Sequence, residues 1–363
     1  MVKKIDLSEK TTIDNAVCMP KNDAKYDLIK FFLSLLVLAI HSTLYPMVLY
    51  PWLRIAVPLF FIMSSNFVFS KLLHEASKEK QKVILKKFIV RNLQLYLCWF
   101  IILLPITVYI RKELYFSNGF FENTLTILKN IFFGSTFVAS WFIMATIIGV
   151  LIIYLLSKLL RKDYLVFLIS LFTFCVVTLA SSYTDIISDT FVFTAINKYI
   201  DIFGGLVCSF PAALFWVFIG KLFAEQKIKI KSIRFLILLI ICSCIALFVE
   251  WEFVMSLDGS YNNDSYFMLA PLCLLLFLGV EKIKPIYWKN SVYFKRASTI
   301  IYVAHGSLLP VVSKLVSIVF NVRVPLLSFI LTFICCITIY IFVEIAIKKC
   351  RSRRINKILK MLY

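Results

Sequence analysis

The sequence predicts an all-α protein, a polytopic transmembrane helical bundle of about ten helices with both termini in the cytoplasm. Three observations carry this. Of 363 residues, 61% are hydrophobic and only 17% charged, and the mean hydropathy is +0.89, too apolar for a surface that water must solvate. The apolar residues gather into runs long enough to cross a hydrocarbon core of roughly 30 Å. The Lys and Arg fall in short stretches between those runs.

The first five spans lie near 28–48, 53–70, 92–110, 138–157 and 164–182. The next five lie near 203–222, 235–251, 265–280, 298–320 and 325–347. An even number puts both ends on one side. Basic residues say which: the tail to Lys30, the runs Lys71–Arg91, Lys158–Lys162, Lys221–Arg234 and Lys282–Arg296, and the tail from Lys348 hold about 33 of the 40 Lys and Arg, so these parts are cytoplasmic. The other side carries Asp185, Asp189, Asp201, Asp258 and Asp264, in exterior loops expected to be short, with no inserted soluble domain. Pro211 and Pro271 read as helix kinks.

The chain divides into a cytoplasmic N-terminal tail (1–27), a membrane domain (28–347) and a basic cytoplasmic C-terminal tail (348–363). That last tail interleaves Arg353, Arg354 and Lys357 with Ile355, Ile358 and Leu359; it reads as a solvated stop-transfer tail or as a helix lying on the anionic inner leaflet. The first 25 residues lack the apolar core and small-residue cleavage site of a signal peptide. A net charge of +20 would suggest nucleic acid in a soluble chain, but here the charge reports topology, and no nucleic-acid partner is expected. The ten cysteines lie mostly inside apolar runs (Cys98, Cys175, Cys208, Cys273, Cys335, Cys336) and read as buried thiols; no metal-ligand spacing is expected. Phosphate loops and nucleophile elbows are not found.

Ionisable groups at bilayer depth cost several kcal/mol, so each asks for a reason. Lys30 and His41 are eleven residues apart in the first span, about 16 Å along the axis and about 20° around it, and share one helix face. A cation at the inner rim and an imidazole deeper in the same groove suit an elongated anionic ligand from the cytoplasm, with proton transfer near neutral pH. The plainer alternative is a snorkelling lysine and a histidine hydrogen-bonded between helices. The second span carries Arg54 at its outer mouth and a polar cluster, Ser64, Ser65 and Asn66, suited to close helix packing. His305 lies about 13 Å inside the ninth span, deep enough to share a cavity with His41. Trp141 and Glu250 sit at the outer ends of the fourth and seventh spans, where an interfacial anchor and a solvated rim are the ordinary roles. His74 reads as a solvated loop residue.

Four pieces of the chain resemble the integral membrane acyltransferases called acyltransferase family 3. Lys30-x10-His41 is similar to that family's Arg/Lys-x10-His pattern. Arg54 to Phe61 with the following serines resembles its R-x-a-V-P-x-F-F-x-x-S-G segment, except that Ser65 stands where the family has glycine. Ser140-Trp141-Phe142 resembles its L-W-F-L segment, and Ser298 to His305 its lS-x-x-I-Y-l-x-H segment.

The resemblance implies a membrane-bound O-acyltransferase, expected to be an O-acetyltransferase, that moves an acyl group from acyl-CoA to a hydroxyl of a cell-envelope glycan or lipid-linked saccharide. It implies no permanently bound cofactor, with acyl-CoA, expected to be acetyl-CoA, as co-substrate. His41 would be catalytic, Lys30 and His305 donor-binding, and Arg54, Glu250 and Trp141 acceptor-binding. Membrane lipids would be partners, a bacterial plasma membrane the location, and a homo-oligomer is compatible with the sequence. Direct transfer and transfer through an acyl-histidine both fit. One rival is a transporter or flippase, since the membrane half of membrane-bound serine racemases is similar to this family. A noncatalytic membrane subunit of an assembly complex is another.

Overall fold

A computed structural model describes residues 23–44, 49–112, 116, 119–257 and 264–363, so the N-terminal tail up to residue 22 and Asp258 lie outside the described residues. The chain is a multi-pass membrane protein, all-α with no strand among its described residues. Its helices are α1 (Ala24–Ser42), α2 (Tyr50–Leu53), α3 (Ala56–Leu73), α4 (Lys78–Ile110), α5 (Phe120–Phe133), α6 (Ser140–Leu160) and α7 (Asp163–Ser182). There follow α8 (Thr184–Ile187), α9 (Phe191–Phe203), α10 (Phe210–Ala224), α11 (Ile233–Ser256) and α12 (Leu269–Lys282). The last are α13 (Ser291–Phe320), α14 (Pro325–Lys349) and α15 (Arg353–Leu359), ending in a single 3₁₀ turn, Lys360–Leu362.

Each of the ten expected spans falls on a helix. Seven are long and apolar enough to cross a membrane: Tyr50–Leu73, α4, α6, α7, α11, α13 and α14. The other three are α1, which carries Lys25, Asp27 and Lys30, and α10 and α12, which have 15 and 14 residues against the roughly 20 that a straight crossing needs. The bundle is apolar on its outside. On α11, Ile237, Ile241, Ile245, Val249 and Phe253 form a stripe at every fourth residue, each 50–60% exposed, a surface that water would penalise and lipid accepts.

Some boundaries differ from the sequence reading. The basic run Lys78–Arg91, expected as a loop, is helical and continuous with its span, because Lys, Glu and Gln are good helix formers. The exterior connections are not short: α5 lies between α4 and α6, and α8 and α9 between α7 and α10. Phe133 of α5 meets Phe203 of α9 at 5.0 Å between ring centroids, and its carbonyl accepts from the Gly205 amide at 3.0 Å. Pro211 and Pro271 are not kinks; they stand in the first turns of α10 and α12, where a missing amide hydrogen breaks no helical bond. Of the six cysteines expected to be buried, only Cys273 and Cys336 are fully so.

The cytoplasmic end is held by polar locks. The Ala24 amide donates to the Ile286 carbonyl (2.8 Å) and Ser291 donates to Asp27 (2.7 Å), bringing the start of α1 to the start of α13. Lys221 of α10 pairs with Asp163 (2.9 Å) and Glu225 (2.6 Å), and Lys227 bonds the same two carboxylates. Those partners, Asp163 foremost, hold the Lys227 ammonium above its ordinary pKa. The C-terminal segment is not a loose tail: after α15 it turns back, the Trp99 indole N–H donates to the Leu362 carbonyl (3.0 Å), and Arg296 stacks on Tyr363 while pairing with Glu344 (2.8 Å).

The tightest helix contact explains how Ser65 is tolerated. On α10, Gly220 faces Ser65 so closely that a Cβ there would run into the Ser65 hydroxyl and sit 2.5 Å from the Ile62 carbonyl. The missing side chain is on the opposing helix. Ser65 in turn is fully buried and donates to the Phe61 carbonyl at 2.7 Å.

Candidate active site

Helix α1 opens with Asp23, whose carboxylate accepts from the Lys25 amide, and closes on Thr43 in the left-handed region (φ 53°). Lys30, Ser34, Val37 and His41 recur along it at helical spacing on one face. That face meets α3 and α13 rather than lipid. His41 comes within 5.1 Å of His305 between ring centroids, at 37°. His305 is fully buried, and its Nδ1 lies 2.9 Å from the Ile301 carbonyl. A carbonyl only accepts, so Nδ1 carries the hydrogen and Nε2 is left as an acceptor. That Nε2 is buried and has no hydrogen-bond partner among the described residues.

His41 is the deep polar group of a cavity of about 510 Å³. Its walls come from α1 (Val37, Ile40), from α2 and α3 (Tyr50, Arg54, Val57, Pro58, Phe61), from Arg111 at the outer end of α4, and from Trp141 at the start of α6. Val177, Cys208, Trp216, Asp264 and Tyr302 complete it. These positions belong to the exterior half of the bundle. His41 itself is exposed, and the cavity is what it is exposed to. Arg54 pairs with Asp264 at 2.5 Å and lies 4.3 Å over the Tyr50 ring. Arg111 donates to the Ser135 carbonyl at 2.7 Å. Behind the wall residues Phe61 and Tyr302 packs Phe142, at 4.4 Å from the first and 5.1 Å from the second.

Lys30 is not among the residues that line this cavity, so the single groove expected from Lys30 to His41 is interrupted. Between them, Leu33, Ser34 and Leu38 are buried in helix packing, and Ser34 turns its hydroxyl back onto the Phe31 carbonyl (2.7 Å). Lys30 instead lies 4.8 Å over the Phe67 ring, in electrostatic range of Lys71, Arg91 and Lys295, with Asp27 as the nearby carboxylate. Lys30 thus stands in range of cations from three other helices at the cytoplasmic end, with Asp27 the carboxylate that acts on it.

The remaining expected residues divide. Arg54 and Trp141 line the cavity with His41. His305 stands behind His41, apart from the cytoplasmic cluster where a donor contact was expected. Glu250 is absent from the cavity walls; its carboxylate accepts from Tyr183 (2.5 Å) and from the amides of Phe267 (2.6 Å) and Met268 (2.7 Å), satisfying orphan donors at the start of α12. Ser65 and Asn66 are buried in the α3–α10 contact, with Ser64 partly so. Arg111 and Tyr50 were not singled out in the sequence. An available signal for Arg111 was a basic residue at the exterior end of a span, where such residues are disfavoured.

The family model described as an acyltransferase domain, that of acyltransferase family 3, matches residues 23–341, nearly the whole chain. An amino-acid racemase from Enterococcus faecalis is 23% identical over 352 residues, covering 91% of this chain and 47% of that protein; the chain spans about half the length of this curated relative. No solved structure matches the chain.

Proposed function

The chain belongs to acyltransferase family 3; on that premise we propose that it is a membrane acyltransferase that moves an acyl group, acetyl foremost, from acyl-CoA to a hydroxyl of a cell-envelope saccharide in a bacterial plasma membrane. The observation that carries this reading is the pairing of His41 with His305 at the deep end of an exterior cavity, on a helix whose inner end joins a cluster of four cations. The cluster of Lys30, Lys71, Arg91 and Lys295 suits the phosphates of a coenzyme A thioester on the cytoplasmic side. The exterior cavity suits the acceptor.

In the reaction, an imidazole nitrogen of His41 takes the proton of the acceptor hydroxyl as its oxygen attacks the thioester carbonyl. A carbon–oxygen bond forms, the carbon–sulfur bond breaks, and the coenzyme A thiolate leaves with the proton returned by the imidazolium. His305, held by the Ile301 carbonyl in one tautomer, fixes the ring behind His41 and adds no second proton donor on its Nε2 side. Because Leu33, Ser34 and Leu38 are packed between Lys30 and His41, the donor arm reaches His41 only when α1 and its neighbours part at that level.

The test is release of free coenzyme A by purified protein with acetyl-CoA and a saccharide acceptor. His41→Ala is expected to abolish acceptor-dependent release; release at the normal rate would remove the assignment. Transport remains the second reading, favoured by the cavity into which His41 opens. A transporter moves solute into proteoliposomes without forming coenzyme A.

A further inference from the structure

The polar lining of the exterior cavity is unbalanced. Arg54 and Arg111 both contribute to it, and Asp264 is the carboxylate among its described lining residues. Arg54 takes that carboxylate at 2.5 Å and turns one guanidinium face onto Tyr50, yet its buried Nε has no hydrogen-bond partner among the described residues. Arg111 has a neutral partner, the Ser135 carbonyl at 2.7 Å, and no ion pair among the described residues. A guanidinium carries five donors and is always charged, so one carbonyl satisfies neither its geometry nor its charge. A surplus cation is costly in a low-dielectric cavity inside a membrane protein unless something anionic joins it.

We infer that this cavity selects an acceptor carrying an anionic group, a carboxylate or a phosphate, which pairs with Arg111 while a hydroxyl of the same molecule is presented to His41. The inference rests on reading the exterior cavity as the acceptor site. It goes further in naming the acceptor's charge and the residue that reads it. A planar fork facing two oxygens of a carboxylate or phosphate gives two parallel hydrogen bonds, and therefore orientation as well as affinity. The Arg54–Asp264 pair sets the opposite wall, so a neutral sugar of the same size leaves Arg111 without an anion, and selectivity follows from that unpaired charge.

Equilibrium binding to the purified protein in detergent tests this separately from turnover. The probes are a glucuronoside, a glucose phosphate and the matching neutral glucoside. The wild-type protein should bind at least one anionic probe about 10- to 100-fold more tightly than the neutral one, with the preference shrinking as salt rises. The better probe decides between carboxylate and phosphate. Arg111→Gln should collapse the ratio toward one, and Arg111→Lys should restore part of it, since charge returns without the fork. Equal binding of all three probes by the wild type would overturn the inference, as would a ratio that survives in Arg111→Gln. If charge selectivity appears while no acceptor ever releases coenzyme A, Arg111 still reads the anion, but the molecule it reads is not an acyl acceptor and the acyltransfer reading falls.

Discussion

The two ends of this bundle handle positive charge in opposite ways. At the cytoplasmic end cations are many: Lys30, Lys71, Arg91 and Lys295 crowd together, and Lys221 and Lys227 are tied to carboxylates nearby. At the exterior end cations are few, yet Arg54 and Arg111 stand in the wall of a cavity that also holds His41. The first pattern follows from topology, because the positive-inside rule fills cytoplasmic connections with Lys and Arg whatever they do. The second runs against that rule. A basic residue at an exterior helix end is therefore the more informative observation, and it is the ground on which acceptor recognition is proposed there.

Substitutions at the two ends should separate their roles, and the greatest loss is expected at His41. Replacing His41 by alanine should lower the transfer rate about 10²- to 10⁴-fold, the range for loss of a general base, measured as coenzyme A release at saturating substrates. At the inner end, Lys30→Gln should raise the KM for acyl-CoA about tenfold and leave the KM for acceptor alone; a change confined to the acceptor would reverse the assignment of the two ends. Gly220→Ala should lower stability by about 1–3 kcal/mol, read from the unfolding midpoint in detergent, because its Cβ collides with Ser65 and the Ile62 carbonyl. Glu250→Gln should cost about 1 kcal/mol through weaker capping of α12 without shifting either KM, in keeping with its place outside the cavity walls. Cys208, which lines the cavity, gives a sidedness check: a membrane-impermeant thiol reagent should modify it from the exterior face, and modification from the cytoplasmic face alone would place the opening on the wrong side.

Much of this was legible in the sequence, for definite reasons. The spans appeared because lipid demands long apolar runs, and His41 stood out because an imidazole at bilayer depth is rare. The depth of His305 put it level with His41, which it meets at 5.1 Å, although it does not line the cavity. Helices α5 and α9 escaped notice because their apolar residues alternate with Glu122, Asn123, Lys129, Asn197 and Asp201, so no long run forms. Glu250 looked like a ligand for a sugar because the amides of Phe267 and Met268 that claim it are backbone groups with no sequence signature. The break between Lys30 and His41 was hidden for a related reason. Sharing a helix face fixes direction, but whether the space between is open depends on what α13 packs there.

The most direct measurement uses sided proteoliposomes, with acetyl-CoA supplied only at the cytoplasmic face and a saccharide acceptor only at the exterior face. The account predicts O-acylated acceptor outside and an equal amount of free coenzyme A inside, both lost with His41→Ala. Uptake of solute with no coenzyme A formed, or acylation undiminished without the imidazole, would contradict it.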